Sequence, residues 1–142
     1  MEEWSPLTPF RRFFKQFRII AGHKNIAFTF DCKQEDDVAA LAQHSIRIDF
    51  TRLGQVVRNL LTNAFKFTPA HGSIQMVVSK VTRKYSGMAQ HPFLCLEVID
   101  SGAGISKENQ KKLFGQYVQF NAEKLQKGGG SGLGLWICKG EW

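Results

Sequence analysis

The stretch from Arg52 to Pro69, RLGQVVRNLLTNAFKFTP, constrains the fold more than any other part of the chain. Leu53, Val56, Val57, Leu60, Leu61 and Ala64 recur at three- and four-residue spacing, the pattern of an amphipathic helix with one apolar stripe turned to a core. Pro69 cannot continue such a helix and marks its end. Asn59 and Asn63 are four apart and Lys66 follows three later, so the three project nearly in line, beside the stripe rather than opposite it. Polar groups placed there form either the wall of a cleft or an ordinary solvated face, on which each Asn costs about 0.5 kcal/mol of helix propensity relative to Ala.

The 142 residues fit one domain, large enough to bury roughly two thirds of its unfolded surface. A net charge of +7 suits an anionic ligand, an acidic partner, nucleic acid or a membrane surface without choosing among them. The cations are scattered, and no aromatic-basic repeat or zinc-finger spacing supports nucleic-acid readout. Cys32, Cys95 and Cys138 are odd in number, far apart and free of any C-x-x-C, which argues against a disulfide framework or structural zinc and fits a reducing, cytoplasmic setting. His23, His44, His71 and His91 show no close metal-ligand spacing. No apolar run approaches the roughly 20 residues needed to span a bilayer, and the amino terminus lacks a signal-peptide pattern, so a soluble fragment is expected.

Along the chain, Phe10, Phe13, Phe14 and Phe17 sit at helical spacing with cations between them and predict a basic amphipathic helix, with Gly22 as its stop. Such a helix can bind membranes, although packing against its own domain is the commoner use. Alternation over Asn25–Asp31 predicts a strand, Glu35-Asp36-Asp37 an acidic loop, and Ser45–Phe50 a second strand with Asp49 capping the central helix. Ser73–Val81 and Phe93–Asp100 predict an antiparallel hairpin with a long loop. Asp100 then leads into Ser101-Gly102-Ala103-Gly104-Ile105, where glycines let the backbone pass close to a ligand. Ser106 is an N-cap candidate for a short helix. Gly115–Ser131 reads as a long loop of the lid type, and Gly130-Ser131-Gly132-Leu133-Gly134-Leu135 as a glycine-rich helix start whose amides suit phosphate.

Three separated elements thus ask for one ligand, and a nucleotide suits them all. A purine 6-amino group needs an acceptor, which Asp100 supplies, and a triphosphate needs amides, a cation and usually Mg²⁺, to which Asn63 can offer a neutral oxygen. Neither G-x-G-x-x-G nor G-x-x-x-x-G-K-[ST] occurs, so the glycines follow another scheme. N-L-L-T-N-A-F-K-F-T-P, D-S-G-A-G-I, L-F-G-Q-Y-V-Q-F and G-S-G-L-G-L, in that order, resemble the N, G1, F and G2 boxes of sensor histidine kinase ATP-binding domains, over roughly Asn59 to Leu135.

That resemblance implies an α+β fold, a two-layer α/β sandwich with a mixed sheet packed on one layer of helices, and one ATP-binding domain over residues 1–142. It implies ATP and Mg²⁺ as ligands, with Asn63 on the metal, Asn59 supporting the metal-phosphate site, Lys66 on phosphate and Phe67 near the adenine. Asp100 would hold the adenine amino group, and Gly102, Gly104 and Ile105 would shape its pocket. Lys124 or Lys127 would reach phosphates from the lid; Gly132 and Gly134 would hinge it, with Gly130, Ser131, Leu133 and Leu135 completing the nucleotide-binding set. The superfamily also includes gyrase, mismatch-repair and heat-shock ATPases, which carry a Glu general base where this chain has Asn59, and an amide cannot take a proton from water.

The reading implied is therefore a protein histidine kinase part that presents Mg-ATP to a His elsewhere, with no general base of its own. Its partners would be a phosphoacceptor and dimerisation domain of the same or another kinase and, indirectly, a response regulator; nucleic acid is not expected, and a membrane only through the parent protein. No His here stands in an H-E-x-x-x-P context, so the phosphoacceptor would lie outside this chain. The family continues beyond its last helix into two more core strands, so the domain is expected to be truncated at its carboxyl end. The alternatives are a nucleotide-binding or degenerate regulatory module without transfer activity and an ATP hydrolase of the same superfamily.

Overall fold

A computed structural model describes residues 7–44, 49–84, 86, 87 and 89–112. Its elements are α1 (Thr8–Lys24), β1 (Ala27–Cys32), α2 (Glu35–His44), α3 (Phe50–Phe67), β2 (Ser73–Lys84), β3 (Gln90–Asp100) and α4 (Lys107–Gln110). The strands form one mixed sheet in the order β1-β2-β3, with β1 parallel to β2 and β2 antiparallel to β3. Helices between β1 and β2 carry the chain back so that the two can run parallel, whereas β2 and β3 need only a hairpin.

The core lies between the helices and one face of the sheet. Phe10, Phe13, Phe17 and Ala21 of α1, Val57, Leu61, Ala64 and Phe65 of α3, and Ile74, Met76 and Val78 of β2 form a single buried cluster. The i, i+2, i+4 spacing on β2 puts its three residues on one side, which is why a helix layer can cover them all. Aromatic rings lock the layers together: Phe14 lies 4.8 Å from Phe28 and 5.9 Å from Phe30, and Phe65 meets both Phe17 and Phe28 at 5.7 and 5.3 Å. The phenylalanine face of α1 is thus spent on its own domain. The α+β sandwich implied by the motifs is the observed fold.

Several local expectations change. Gly22 does not stop α1; the helix runs to Lys24 and ends at Asn25, whose left-handed φ of 55° lets its amide reach the Ala21 and Gly22 carbonyls. Glu35-Asp36-Asp37 is the first turn of α2 rather than a loop, because carboxylates there meet a helix amino terminus. The strand expected over Ser45–Phe50 falls partly outside the described residues, and Phe50 already belongs to α3. Asp49 is its cap as expected, its carboxylate accepting from the Thr51 and Arg52 amides at 3.0 and 3.2 Å. Along α3 the buried stripe is Val56, Val57, Leu61, Ala64 and Phe65, with Leu53 and Leu60 half-buried. The hairpin is longer than expected, and Ser106 caps α4 by accepting from the Asn109 amide at 3.2 Å.

Candidate functional site

The end of α3, the start of β2 and the end of β3 meet at one edge of the sandwich. Thr68 closes α3, its amide donating to the Ala64 carbonyl, and the Gly72 amide donates to the Pro69 carbonyl in the turn that starts β2. Asp100, the last residue of β3, is in register with Ile74. Ser101 then ties the two strands together: its amide donates to the Ser73 carbonyl at 3.0 Å and its hydroxyl accepts from the Ser73 amide at 2.9 Å. The loop that leaves β3 is thereby held against the helix end.

Contact is closest at Gly102. A Cβ there would stand 2.7 Å from the Phe67 carbonyl oxygen and 2.8 Å from the Asp100 carboxylate, so no side chain fits without moving backbone. The Asp100 Oδ1 accepts from the Gly102 amide at 2.8 Å, which fixes the carboxylate and leaves Oδ2 for a donor on a guest. Gly104 has φ of +74°, a left-handed conformation that turns the loop before α4. Ile105 is exposed, and its carbonyl accepts from the Gln110 side-chain amide.

On α3, Asn59, Asn63, Lys66 and Phe67 are all half-buried. Asn59, Asn63 and Phe67 follow at four-residue intervals and so climb one side of the helix toward Asp100. The Lys66 ammonium stands 5.9 Å from the centre of the Phe67 ring, bringing a cation to the same helix end. The structure therefore joins Lys66, Phe67, Asp100 and Gly102, with the two asparagines on the helix that leads to them. Lys124, Lys127, Gly130, Ser131, Gly132, Leu133, Gly134 and Leu135 lie outside the described residues.

Thr68, which the sequence marks only as the residue before Pro69, stands out in the structure. Its hydroxyl is buried and, among the described residues, has no hydrogen-bond partner. It sits between Phe67 and the turn at Gly72, where a Cβ would come within 2.6 Å of the Thr68 methyl. A Thr before Pro carried no signal beyond ending the helix.

This edge presents a carboxylate acceptor, a cation and a glycine-lined backbone, with the neutral amides of Asn59 and Asn63 further back along α3. That donor set suits a purine phosphate. Among the described residues there is no group of three or more His, Cys, Asp or Glu that could hold a metal ion.

The sequence profile of the histidine kinase-, DNA gyrase B- and HSP90-like ATPases matches residues 48–141, and the chain belongs to that family. The sensor protein EvgS of Escherichia coli is 37% identical over 87% of this chain, which spans 9% of EvgS. The sensor protein CiaH of Streptococcus pneumoniae is 30% identical over 94% of this chain and 26% of CiaH. Among solved structures, the catalytic domain of histidine kinase ThkA matches with a TM-score of 0.68 at 26% identity, over 96% of this chain and 75% of that one. The mycobacterial sensor histidine kinase MprB shares the fold, with a TM-score of 0.70 at 20% identity over 97% and 77% of the two chains. Within its family the chain is an ATP-binding catalytic domain of the histidine kinase type.

Proposed function

We propose that this domain holds ATP with Mg²⁺ and presents it for phosphoryl transfer to a His on a separate phosphoacceptor and dimerisation domain, of the same or a partner kinase. The observation that carries this reading is the seat of Gly102 on the Phe67 carbonyl, which brings the Asp100 carboxylate to the end of the helix bearing Asn59, Asn63 and Lys66. Asp100 would accept from the adenine amino group, Phe67, Gly102, Gly104 and Ile105 would border the base, and Lys66 would neutralise phosphate. Asn63, supported by Asn59, would be the protein's ligand to Mg²⁺, which when bound spreads charge from the phosphates. Lys124, Lys127 and the segment Gly130–Leu135 are proposed for the lid and phosphate cradle.

Asn59 favours transfer over hydrolysis, since an amide cannot serve as base for water. A response regulator would receive the phosphoryl group in turn. A cytoplasmic setting, free or as part of a membrane-bound sensor, accords with this chemistry, and no described helix is long and apolar enough to cross a membrane.

Mixing the protein with a phosphoacceptor domain and γ-labelled ATP tests the reading: label is expected on the His. Free phosphate instead would indicate a hydrolase, and bound but unreacted ATP a regulatory module. In calorimetry, Asn63→Ala is expected to abolish Mg²⁺-dependent nucleotide binding while the thermal midpoint changes little. Unchanged ATP affinity with Mg²⁺ present would remove Asn63 as a ligand.

A further inference from the structure

The end of β3 departs from an ordinary antiparallel ladder at one residue. Ile74 and Asp100 are the last pair in register between β2 and β3, and Ser73 and Ser101 stand next to them. Where facing residues of antiparallel strands are hydrogen-bonded they exchange two bonds, each amide donating to the other's carbonyl. Here the Ser101 amide does donate to the Ser73 carbonyl at 3.0 Å, but the Ser73 amide donates to the Ser101 hydroxyl oxygen at 2.9 Å. A side chain thus takes the place of a main-chain carbonyl. The Ser73 amide keeps an acceptor while the Ser101 carbonyl is released from the ladder, so the peptide unit between Ser101 and Gly102 is free to turn out of the sheet.

That turn is what brings the loop onto α3. Immediately after Ser101, the Gly102 backbone lies so close to Phe67 that a Cβ would be 2.7 Å from its carbonyl oxygen, and the Gly102 amide donates to Asp100 Oδ1 at 2.8 Å. The direction in which the chain leaves the sheet therefore sets where the Gly102 amide stands, and through it where the Asp100 carboxylate points. The hydroxyl also needs room beside the turn after α3. A Cβ on Gly72 would come within 2.8 Å of Ser101 Oγ, 2.6 Å of the Thr68 methyl and 2.9 Å of the Pro69 carbonyl oxygen, so a glycine there is what leaves that room. Alanine at position 101 would offer the Ser73 amide no side-chain oxygen. The strands could then close by one more backbone bond, from the Ser73 amide to the carbonyl at 101, which would draw Gly102 back from Phe67.

We propose that Ser101 is the positioning residue for recognition of the base: by standing in for its own carbonyl, its hydroxyl aims the Asp100 carboxylate at the amino group of a 6-aminopurine. This role rests on the proposed nucleotide site, and Ser101 acts in it only through Asp100.

Calorimetric titration of Mg-ATP into the full chain and four variants tests it: Asp100→Asn, Ser101→Ala, Ser101→Thr, and Asp100→Asn combined with Ser101→Ala. Ser101→Ala is expected to weaken ATP about fivefold, a fraction of the loss from removing a charge-assisted bond outright, with a thermal midpoint close to the parent's because the Ser73 amide regains a backbone acceptor. Ser101→Thr, which keeps the hydroxyl, is expected to bind within about twofold of the parent. The double variant is expected to bind within about twofold of Asp100→Asn, since a residue that only aims the carboxylate has nothing left to aim. A further loss of about fivefold in the double variant would overturn the proposal, because independent sites add. Unchanged ATP affinity in Ser101→Ala beside a weakened Asp100→Asn would also overturn it and leave the nucleotide site standing. So would an equal loss in Ser101→Thr, which would assign the effect to packing, or a Ser101→Ala chain that unfolds, which would make the hydroxyl a structural strut. A parent chain that binds no ATP would remove the nucleotide site, and the role of Ser101 with it.

Discussion

At the scale of single residues, Asp100 and Thr68 differ in how their polar atoms are satisfied. Asp100 uses one oxygen on the Gly102 amide, and Asn can keep that bond through its own oxygen while its other atom becomes a donor. Asp100→Asn is thus expected to leave the fold unchanged but to weaken ATP by about 1–3 kcal/mol, the range for a charge-assisted bond, and to reduce preference over GTP. Titrating both nucleotides into both proteins measures this, and equal ATP and GTP affinity in the parent would refute the role. Thr68 has a buried hydroxyl with no partner among the described residues, a cost without a return in the folded state. Valine has the same shape and suits the extended φ of −92° and ψ of 122° found there. Thr68→Val is expected to leave stability unchanged or raise it by up to about 2 kcal/mol in urea unfolding; a loss above about 1 kcal/mol would show that the hydroxyl has a partner.

At the scale of elements, α3 is held by its ends as much as by its stripe. Asp49 takes the Thr51 and Arg52 amides at one end, and Lys24 reaches from α1 to the Phe65 carbonyl near the other. Asp49→Ala is expected to cost about 1 kcal/mol in chemical unfolding, since two orphan amides lose their acceptor. Asp49→Asn should recover most of it, because an amide oxygen still caps. Recovery matters functionally: the helix that carries Asn59, Asn63 and Lys66 is positioned by Phe65, Leu61 and Val57 against the sheet, so fraying would move donors as well as lose stability. Gly54, buried on the same helix, belongs to this packing, since a Cβ there would lie 3.1 Å from the Phe13 ring.

At the scale of the whole molecule, β2 is the axis. It is paired on both sides from Ile74 to Val78, and Ile74, Met76, Val77 and Val78 are fully buried. Beyond Val78 the β1 pairing ends, and Thr82, Arg83 and Lys84 are exposed and, among the described residues, pair only with β3. Hydrogen exchange is therefore expected to be slowest over Ile74–Val78 and markedly faster over Thr82–Lys84, because opening the first requires breaking the core and opening the second does not. Mass spectrometry of exchanged peptides reads the difference; equal rates would mean that the whole hairpin opens as one unit.

The sequence alone determined the identity of the central helix, the Asp49 and Ser106 caps, the hairpin and the family, because each rests on local spacing or on short motifs whose chemistry is carried by adjacent residues. It also showed Asn59, Asn63 and Lys66 to share a side of one helix, which follows from 3.6 residues per turn. Tertiary structure decided what lay between elements distant in the chain. Whether the α1 phenylalanines faced a bilayer or a core depended on Phe28, Phe30 and Phe65 being there to receive them. The true end of α1 depended on Asn25, whose carbonyl also accepts from the His71 amide, a partner no local pattern reveals. The acidic run at Glu35 became a helix start with Glu35 paired to Arg11, twenty-four residues earlier. The seat of Gly102 on the Phe67 carbonyl belongs to the same class: local sequence supplies the glycine, but only the folded sheet brings the end of β3 to the end of α3.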